Sequence, residues 1–396
     1  MRVLIYAHAF APKIGGAETY VMLLAGGLAV RPEVRQVAVT TPTPADGFDD
    51  ASLPFHVVRR PSVRSLWRLV GEADVVLLAG PCLAPLAIAY ARHRPVAVEH
   101  HGYQAVCPNG LLFQQPHESV CSGHFMQRRY GMCLRCVHAT GGWRQAVVKV
   151  LATFPRRWMC AKVAANIAVT RHVAQRIAFP RSQVVYHGVP DPGHLSNGPS
   201  ADLTTFAYVG RLVSEKGIPL LLEAARILKR EGLRFHVTII GDGPERDGLE
   251  AVARNLGLSD EVSFAGYLRG DALDRAVRDV TALVMPSIWE ETAGLAAIEQ
   301  MMRGRLVVAA DIGGLGEVVD GAGLKFRRGD ARGLAACLRR VVEEPSLAQA
   351  LGERARRRAV RAFSIARMVD EHLAVFTRLV ARRARSNDPV VRSAAF

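Results

Sequence analysis

Twice along this chain, short apolar runs alternate with stretches of helical period, and few folds satisfy that alternation. In the first half, Val3–Ala7, Val37–Thr41, Phe55–Val58, Asp74–Leu78 and Val96–Glu99 read as strands. Helices are predicted at Ala17–Ala29, Ser65–Leu69 and Leu83–Arg92, then a strand at Asn166–Val169, a helix from Arg171 and a strand at Val184–Tyr186. Runs that are apolar at successive positions need cover on both faces, as in a parallel sheet between helices. The Gly-, Pro- and Ser-rich segment Gly188–Ser200 is the best linker candidate. Beyond it, strands are predicted at Phe206–Val209, His236–Ile240, Val262–Ala265, Ala282–Met285 and Leu306–Ala309. The intervening helices are Pro219–Arg230, Glu245–Asn255, Ala272–Arg278 and Leu295–Arg303; Ala331–Glu343, Ser346–Ala359 and Ser364–Arg383 close the chain. The expectation is an α/β protein of two Rossmann-like, doubly wound parallel-sheet domains, 1–190 and 201–363. A last helix and basic tail, 364–396, would cross back to the first. Ligands of such sheets bind beyond the carboxyl ends of the strands, so two facing units predict a site in the cleft between them.

The 396 residues carry 51 Lys+Arg against 36 Asp+Glu, a formal charge of +15. Such a field attracts polyanions, phosphorylated substrates or anionic lipid. Six of the basic residues are Lys, and the Arg excess is equally the mark of a GC-rich genome. The start, Met1-Arg2 and then Val3–Ala9, lacks the layout of a signal peptide. The longest uncharged stretch, Val75–Ala91, is short for a bilayer span and is broken by Gly80, Pro81 and Pro85. The expected location is cytoplasmic, either soluble or attached by its surface to the inner face of the cell membrane. There seven cysteines serve as thiols or metal ligands rather than disulfides.

Chemistry gathers at the strand ends. Gly15-Gly16, before the first helix, lets backbone approach an anion closely. It is not the dinucleotide fingerprint, which disfavours a dehydrogenase. Strand Phe206–Val209 runs into Gly210-Arg211 and then Lys216-Gly217, two cations five residues apart, which suits a diphosphate. Gly241-Asp-Gly243-Pro follows the next strand. After Met285 come Glu291, the would-be backbone donors Thr292, Ala293 and Gly294 at a helix start, and Glu299 two turns on. Carboxylates so spaced can hold hydroxyls at opposite ends of an elongated ligand.

In that order these motifs resemble the donor domain of a GT-B glycosyltransferase of glycosyltransferase family 4, the group 1 family. The matches are Glu291-x7-Glu299, Gly210-Arg211 with Lys216-Gly217, Gly241-x-Gly243, and the strand-then-Gly-Gly segment Val307–Gly314. The first half adds Gly15-Gly16-Ala-Glu18 and Val184–Val189, so the resemblance runs to about Ala359. It implies that Arg211 and Lys216 hold a nucleotide diphosphate and Glu299 the ribose. Glu291 would contact the transferred sugar, with the Ala293–Leu295 backbone nearby. His101 would face the sugar from the first domain; the family usually shows His-Asp there, and this chain has His101-Gly102 with His100 beside it. The implied reaction is retaining transfer of a hexose from a UDP- or GDP-sugar to a glycan or lipid-linked acceptor, in bacterial surface polysaccharide or lipopolysaccharide synthesis. No catalytic metal is expected, since the chain has no Asp-x-Asp. Front-face attack by the acceptor hydroxyl is the family's usual proposal.

A long loop, 101–142, carries Cys107, Cys121, Cys133 and Cys136, with His117, His124 and His138 interspersed. One Cys-x2-Cys and two further thiols read as a structural zinc site, as plain thiols or as a redox pair. Cys82, Cys160 and Cys337 sit in apolar contexts and read as core. Surplus Arg at Arg128-Arg129, Arg144, Arg156-Arg157 and Arg382–Arg385 would suit an anionic membrane. Nucleic acid is disfavoured, because no aromatic-basic surface or known module is legible. The alternative is a non-catalytic GT-B protein that binds nucleotide or glycan; the intact Arg, Lys and Glu set argues against it.

Overall fold

The computed structural model describes residues 1–13, 15–193 and 203–386. The linker candidate from position 194 to 200 and the end of the basic tail lie outside them.

The first compact unit comprises residues 1–115, 122–188 and the stretch from Ile365 onward. Its strands and helices are β1 (Arg2–Ala7), α1 (Gly16–Ala29), β2 (Gln36–Thr41), β3 (His56–Arg59), α2 (Val63–Glu72), β4 (Val75–Ala79), α3 (Leu83–Ala91) and β5 (Val96–His100). Two short strands follow, β6 (Phe113–Gln114) and β7 (Ser119–Val120), the latter in a segment, Pro116–Cys121, that clusters with the other unit. Then come α4 (Tyr130–Lys162), β8 (Ala165–Ala168), α5 (Arg171–Ile177) and β9 (Ser182–Val184). The sheet order is β3-β2-β1-β4-β5-β8-β9, parallel throughout. Val75, Val76, Leu77 and Leu78 are all fully enclosed, which is why β4 is apolar at every position.

The second unit runs from Val189 to Ser364, together with that short segment. It holds β10 (Thr204–Val209), α6 (Ile218–Arg230), β11 (Phe235–Ile240), α7 (Arg246–Asn255), β12 (Val262–Gly266), α8 (Gly270–Ala276) and β13 (Ala282–Met285). After these come α9 (Leu295–Met302), β14 (Leu306–Ala310), α10 (Gly313–Val319), β15 (Leu324–Phe326), α11 (Ala331–Glu343) and α12 (Pro345–Ala362). Its parallel sheet has the order β12-β11-β10-β13-β14-β15. The order reverses beside β1 in one sheet and beside β10 in the other. Such switch points leave a crevice at the carboxyl ends, where the glycine loops emerge.

The last helix, α13 (Ile365–Ser386), packs Met368, Val369 and Phe376 into the core of the first unit. It lies close against α1, for a Cβ added at Gly27 would sit 2.5 Å from Val369.

Local differences from the sequence reading have identifiable causes. The strand read at Val184–Tyr186 ends at Val184, because its register on β8 runs only from Ser182 to Val184. The loop read over 101–142 gives way to helix at Tyr130, so Cys133 and Cys136 are helical. Glycines 131, 141 and 142 masked that period, and Gly142, at φ 76°, breaks α4 in two. The short β15 and α10 carried too little pattern to read.

Candidate functional site

In the second unit, the loops leaving β10 and β11 are joined backbone to backbone. Gly210 N–H donates to Ile240 at 3.0 Å and Leu212 N–H to Asp242 at 2.9 Å. The fit forces glycine at Gly241, where φ is +146° and an added Cβ would sit 1.8 Å from the Gly210 carbonyl oxygen. At Gly243 it would lie 2.3 Å from the Leu212 oxygen.

A second tie brings the loops after β10 and β13 together. Ile288 N–H donates to the Glu215 carbonyl at 3.0 Å. Gly217, at φ +68°, leaves no room for a Cβ, which would meet the Pro286 carbonyl oxygen at 2.2 Å. This closure sets Lys216 Nζ 2.8 Å from Glu291 Oε1, with the two side chains 15% and 4% exposed. The Ser287 hydroxyl donates to the same carboxylate oxygen, and the Trp289 ring lies 5.6 Å from Nζ. The Glu291 carbonyl accepts from Gly314 N–H, so the Gly-Gly segment after β14 braces the acidic loop. Thr292 is half-buried and Ala293 buried, and Gly294, at φ 76°, caps α9, which Leu295 opens.

The two cations differ. Lys216 is fixed, whereas the Arg211 side chain is 72% exposed and lies 3.8 Å from Glu215. Glu299 is half-buried on α9, and burial raises its pKa against the pull of Arg303. Arg303 itself is bound to Asp274 at 2.6 Å. The structure thus joins Lys216 to Glu291 directly. Gly210, Gly241 and Gly243 belong to the same set of strand ends, and Arg211 and Glu299 are not in contact with the pair. Ser287 and Trp289 were missed in the sequence, where a serine and a tryptophan in a loop carry no signal.

In the first unit, α1 begins at Gly16 with Gly15 as its N-cap, just after β1. His100 ends β5, and its ring is fully enclosed. Its Nε2 faces Asn166 Oδ1 at 2.9 Å, and the Asn166 amide nitrogen donates to the Cys160 and Pro180 carbonyls, which fixes its orientation. Burial therefore pushes the His100 pKa down to about 4. His101, one residue on, is 11% exposed.

Around His101 lies a buried cluster not read from the sequence. Its Nδ1 faces His187 Nε2 at 3.1 Å, and Glu99 Oε2 lies 3.7 Å from its Nε2 and 3.6 Å from His372 Nε2. His372 Nδ1 faces the Met368 carbonyl at 2.8 Å, and its Nε2 faces the Tyr20 hydroxyl at 2.8 Å. Burial alone would raise the Glu99 pKa, but His101, His372 and His187 outweigh it and hold it at about 2. Burial, then His101, brings His187 down to about 3. Potential ligand atoms of Glu99, His101 and His187 all lie within 4.8 Å of one another, a set able to share a proton or hold a cation. Glu99 was legible in principle, two residues before His101 at the carboxyl end of β5. His372, 271 positions away, was not.

An imidazole held below its ordinary range binds its proton less readily in the folded chain than in the unfolded one. The stability from His100 is complete above about pH 6.5 and drains as the pH falls toward 4, on the order of 3 kcal/mol. His187 adds in the same direction. Denaturant unfolding of the first unit should weaken across that window. His100→Gln, which keeps an N–H for Asn166, should reduce the slope; an unchanged slope would contradict the assignment.

Of the four loop cysteines, Cys107, Cys133 and Cys136 lie in the first unit and Cys121 in the short segment assigned to the second. Asn109 links two of them: Cys107 Sγ donates to its Oδ1 at 2.9 Å, and its Nδ2 donates to Cys136 Sγ at 3.2 Å. Gln115 N–H also donates to Cys136 Sγ, at 3.3 Å. Cys136 Sγ in turn donates to the Phe113 carbonyl at 3.7 Å, as a thiol does.

Residues 196–358 match the family model described as glycosyl transferases group 1. The chain carries a group 1 glycosyl transferase domain. The 2-deoxystreptamine glucosyltransferase of Streptomyces kanamyceticus is 34% identical over 141 residues, covering 35% of this chain and 36% of that enzyme. The D-inositol 3-phosphate glycosyltransferase of Kineococcus radiotolerans is 33% identical over 226 residues, covering 50% and 51%. The matches thus span about a third to a half of these curated relatives. In fold, the chain is similar to Anabaena HepE, solved in complex with UDP and glucose: TM-score 0.67 at 17% identity, over 95% of this chain and 99% of that one. That likeness establishes GT-B architecture, two parallel-sheet α/β units.

Proposed function

We propose that this protein is a retaining glycosyltransferase of family 4. It would move a hexose from a UDP- or GDP-sugar to a glycan or lipid-linked acceptor in bacterial surface polysaccharide synthesis, in the cytoplasm at the inner face of the membrane. The Lys216–Glu291 pair at the carboxyl ends of β10 and β13 carries the reading. An ammonium has three N–H donors; one serves Glu291 and the others are available to phosphate. Glu291 keeps acceptor capacity for sugar hydroxyls, and Glu299 is the proposed ribose contact. As the glycosidic bond breaks, negative charge grows on the nucleoside diphosphate. Lys216, Arg211 and the N–H groups opening α9 would stabilise it. The acceptor hydroxyl attacks the same face of the sugar and gives its proton to the departing phosphate oxygen. His101 is the proposed sugar contact of the first unit.

A panel of nucleotide sugars should raise the melting temperature for one donor, and NMR of the product should show the donor's anomeric configuration. Inversion, or no response to any donor, would overturn the reading.

Because side chains neutralise the diphosphate, brief EDTA treatment should leave turnover unchanged. Loss restored by Mg²⁺ or Mn²⁺ would contradict that. Cys107, Cys121, Cys133 and Cys136 are the proposed holders of a structural zinc, which would order the loop without entering the chemistry. Elemental analysis of protein purified without a metal-affinity tag should then find about one zinc per chain.

A further inference from the structure

We infer that the second half of α4 is a docking helix that lies flat on an anionic bilayer, its apolar stripe inserted among the headgroups. No helix among the described residues is long and apolar enough to cross a membrane, so the contact proposed is with its surface. The inference rests on the membrane part of the proposed function and not on the transfer reaction.

Beyond the break at Gly142, Ala146, Val150 and Thr153 face inward and are buried. The outward side is not polar, as a solvated helix face would be. Trp143, Val147, Leu151, Phe154 and Trp158 are 58%, 44%, 61%, 41% and 53% exposed. Their spacing of four, four, three and four residues puts all five within an arc of roughly 80°. The stripe runs for roughly 22 Å and has a tryptophan near each end. Tryptophan is the side chain that favours the headgroup boundary, with an apolar body and one N–H. Tyr90, exposed on α3, continues the patch, its ring 6.3 Å from that of Trp158.

The charge around the stripe selects the occupant. From Ser119 to Pro190 the chain has eleven Arg and Lys and not one Asp or Glu. Arg144 and Lys162 are exposed at the two ends of the stripe, and Arg128, Arg129 and Arg135 are exposed before it. Lys162 Nζ lies 4.0 Å from the Trp158 ring centroid, a cation placed beside the inserted aromatic. Arg156 points inward, donating to the Pro81 and Gln104 carbonyls, and anchors the helix instead. A second copy of this face would bring cation against cation. A polyanion without an apolar phase would leave the stripe in water. An anionic bilayer meets both features, attracting the cations and accepting the aromatic and aliphatic side chains.

The test is co-sedimentation of the whole protein with sucrose-loaded vesicles, either phosphatidylcholine alone or seven parts phosphatidylcholine to three of phosphatidylglycerol. The partition coefficient should be at least about tenfold higher on the anionic vesicles, with a blue shift of tryptophan emission. Val147→Glu/Leu151→Glu, two exposed positions, should lower it at least about tenfold with melting temperature and donor-induced stabilisation unchanged. Brominated lipid should quench the wild-type emission, a reading that needs no variant. Absence of binding, equal binding to both vesicles, or full binding by the variant would overturn the inference. So would a wild-type dimer that the variant dissociates, which would assign the stripe to a second copy. Any of these with donor binding intact would leave the transferase reading standing.

Discussion

Lys216→Ala is expected to lower turnover with the true donor at least about 100-fold, since the ammonium is placed to meet charge that grows only as the leaving group departs. Arg211→Ala should act in the same sense. Its side chain is 72% exposed and 3.8 Å from Glu215, a surface ion pair that contributes little to stability, so its loss should fall on turnover. Lys216 is different. Its partner Glu291 is 4% exposed, and deleting the cation leaves a buried carboxylate short of its main donor. Lys216→Ala should therefore also melt earlier. The double variant Lys216→Ala/Glu291→Gln should recover melting temperature, because the stranded charge is gone, without recovering turnover. Steady-state kinetics and thermal melts on the same preparations separate the two effects. Near-normal turnover in both single variants would remove the diphosphate assignment.

Gly241→Ala should be the most damaging single-methyl change in the second unit, at about 3 kcal/mol or more. The new Cβ would stand 1.8 Å from the Gly210 carbonyl oxygen, and no side chain is available to swing aside. Relief would require the β10 loop to move, carrying Arg211 with it. Donor-induced stabilisation should disappear together with melting temperature. Gly248→Ala is the contrast: this residue sits inside α7 with nothing within 4 Å of an added Cβ. Better helix propensity should make that variant neutral or more stable by up to about 1 kcal/mol. Equal behaviour of the two variants would show that the close approach of the loops does not govern this site.

These two positions show which parts of the molecule were open to reading from the chain. Arg211, Lys216, Gly241 and Gly243 each stand within a few residues of a strand's carboxyl end. Period and punctuation locate strand ends, and a parallel sheet gathers them on one edge. Glu291 was legible through its spacing to Glu299. Its partner was not: the hydrogen bond from Lys216 spans 75 positions and depends on Gly217 fitting under the Pro286 carbonyl. The difference between a tethered Lys216 and an extended Arg211 is likewise invisible in two cations five residues apart.

The first unit extends the contrast. Alternating strands and helices, the absence of a dinucleotide fingerprint and the glycine loop after β1 are local patterns, and local patterns survive in a linear text. The choice between His100 and His101 is not of that kind. His101 lies just past the end of β5, and only the assembled sheet places His100 wholly inside, on Asn166, and His101 at the rim. The Glu99 cluster draws on β5, the segment after β9 and α13, so its members come from three distant parts of the chain. The stripe on α4 was written in the sequence as a helical period, but a period says only that one face is apolar. Which face the core takes, and which it leaves in the open, was decided by packing: Ala146, Val150 and Thr153 turned inward and Trp143, Leu151 and Trp158 were left outside. By itself the chain determined two doubly wound sheets with glycine-bearing loops at their carboxyl edges, since both follow from periodicity and residue type. Pairings across long separations, and the exposure of each side chain, waited on tertiary structure because they depend on which surfaces the rest of the molecule covers.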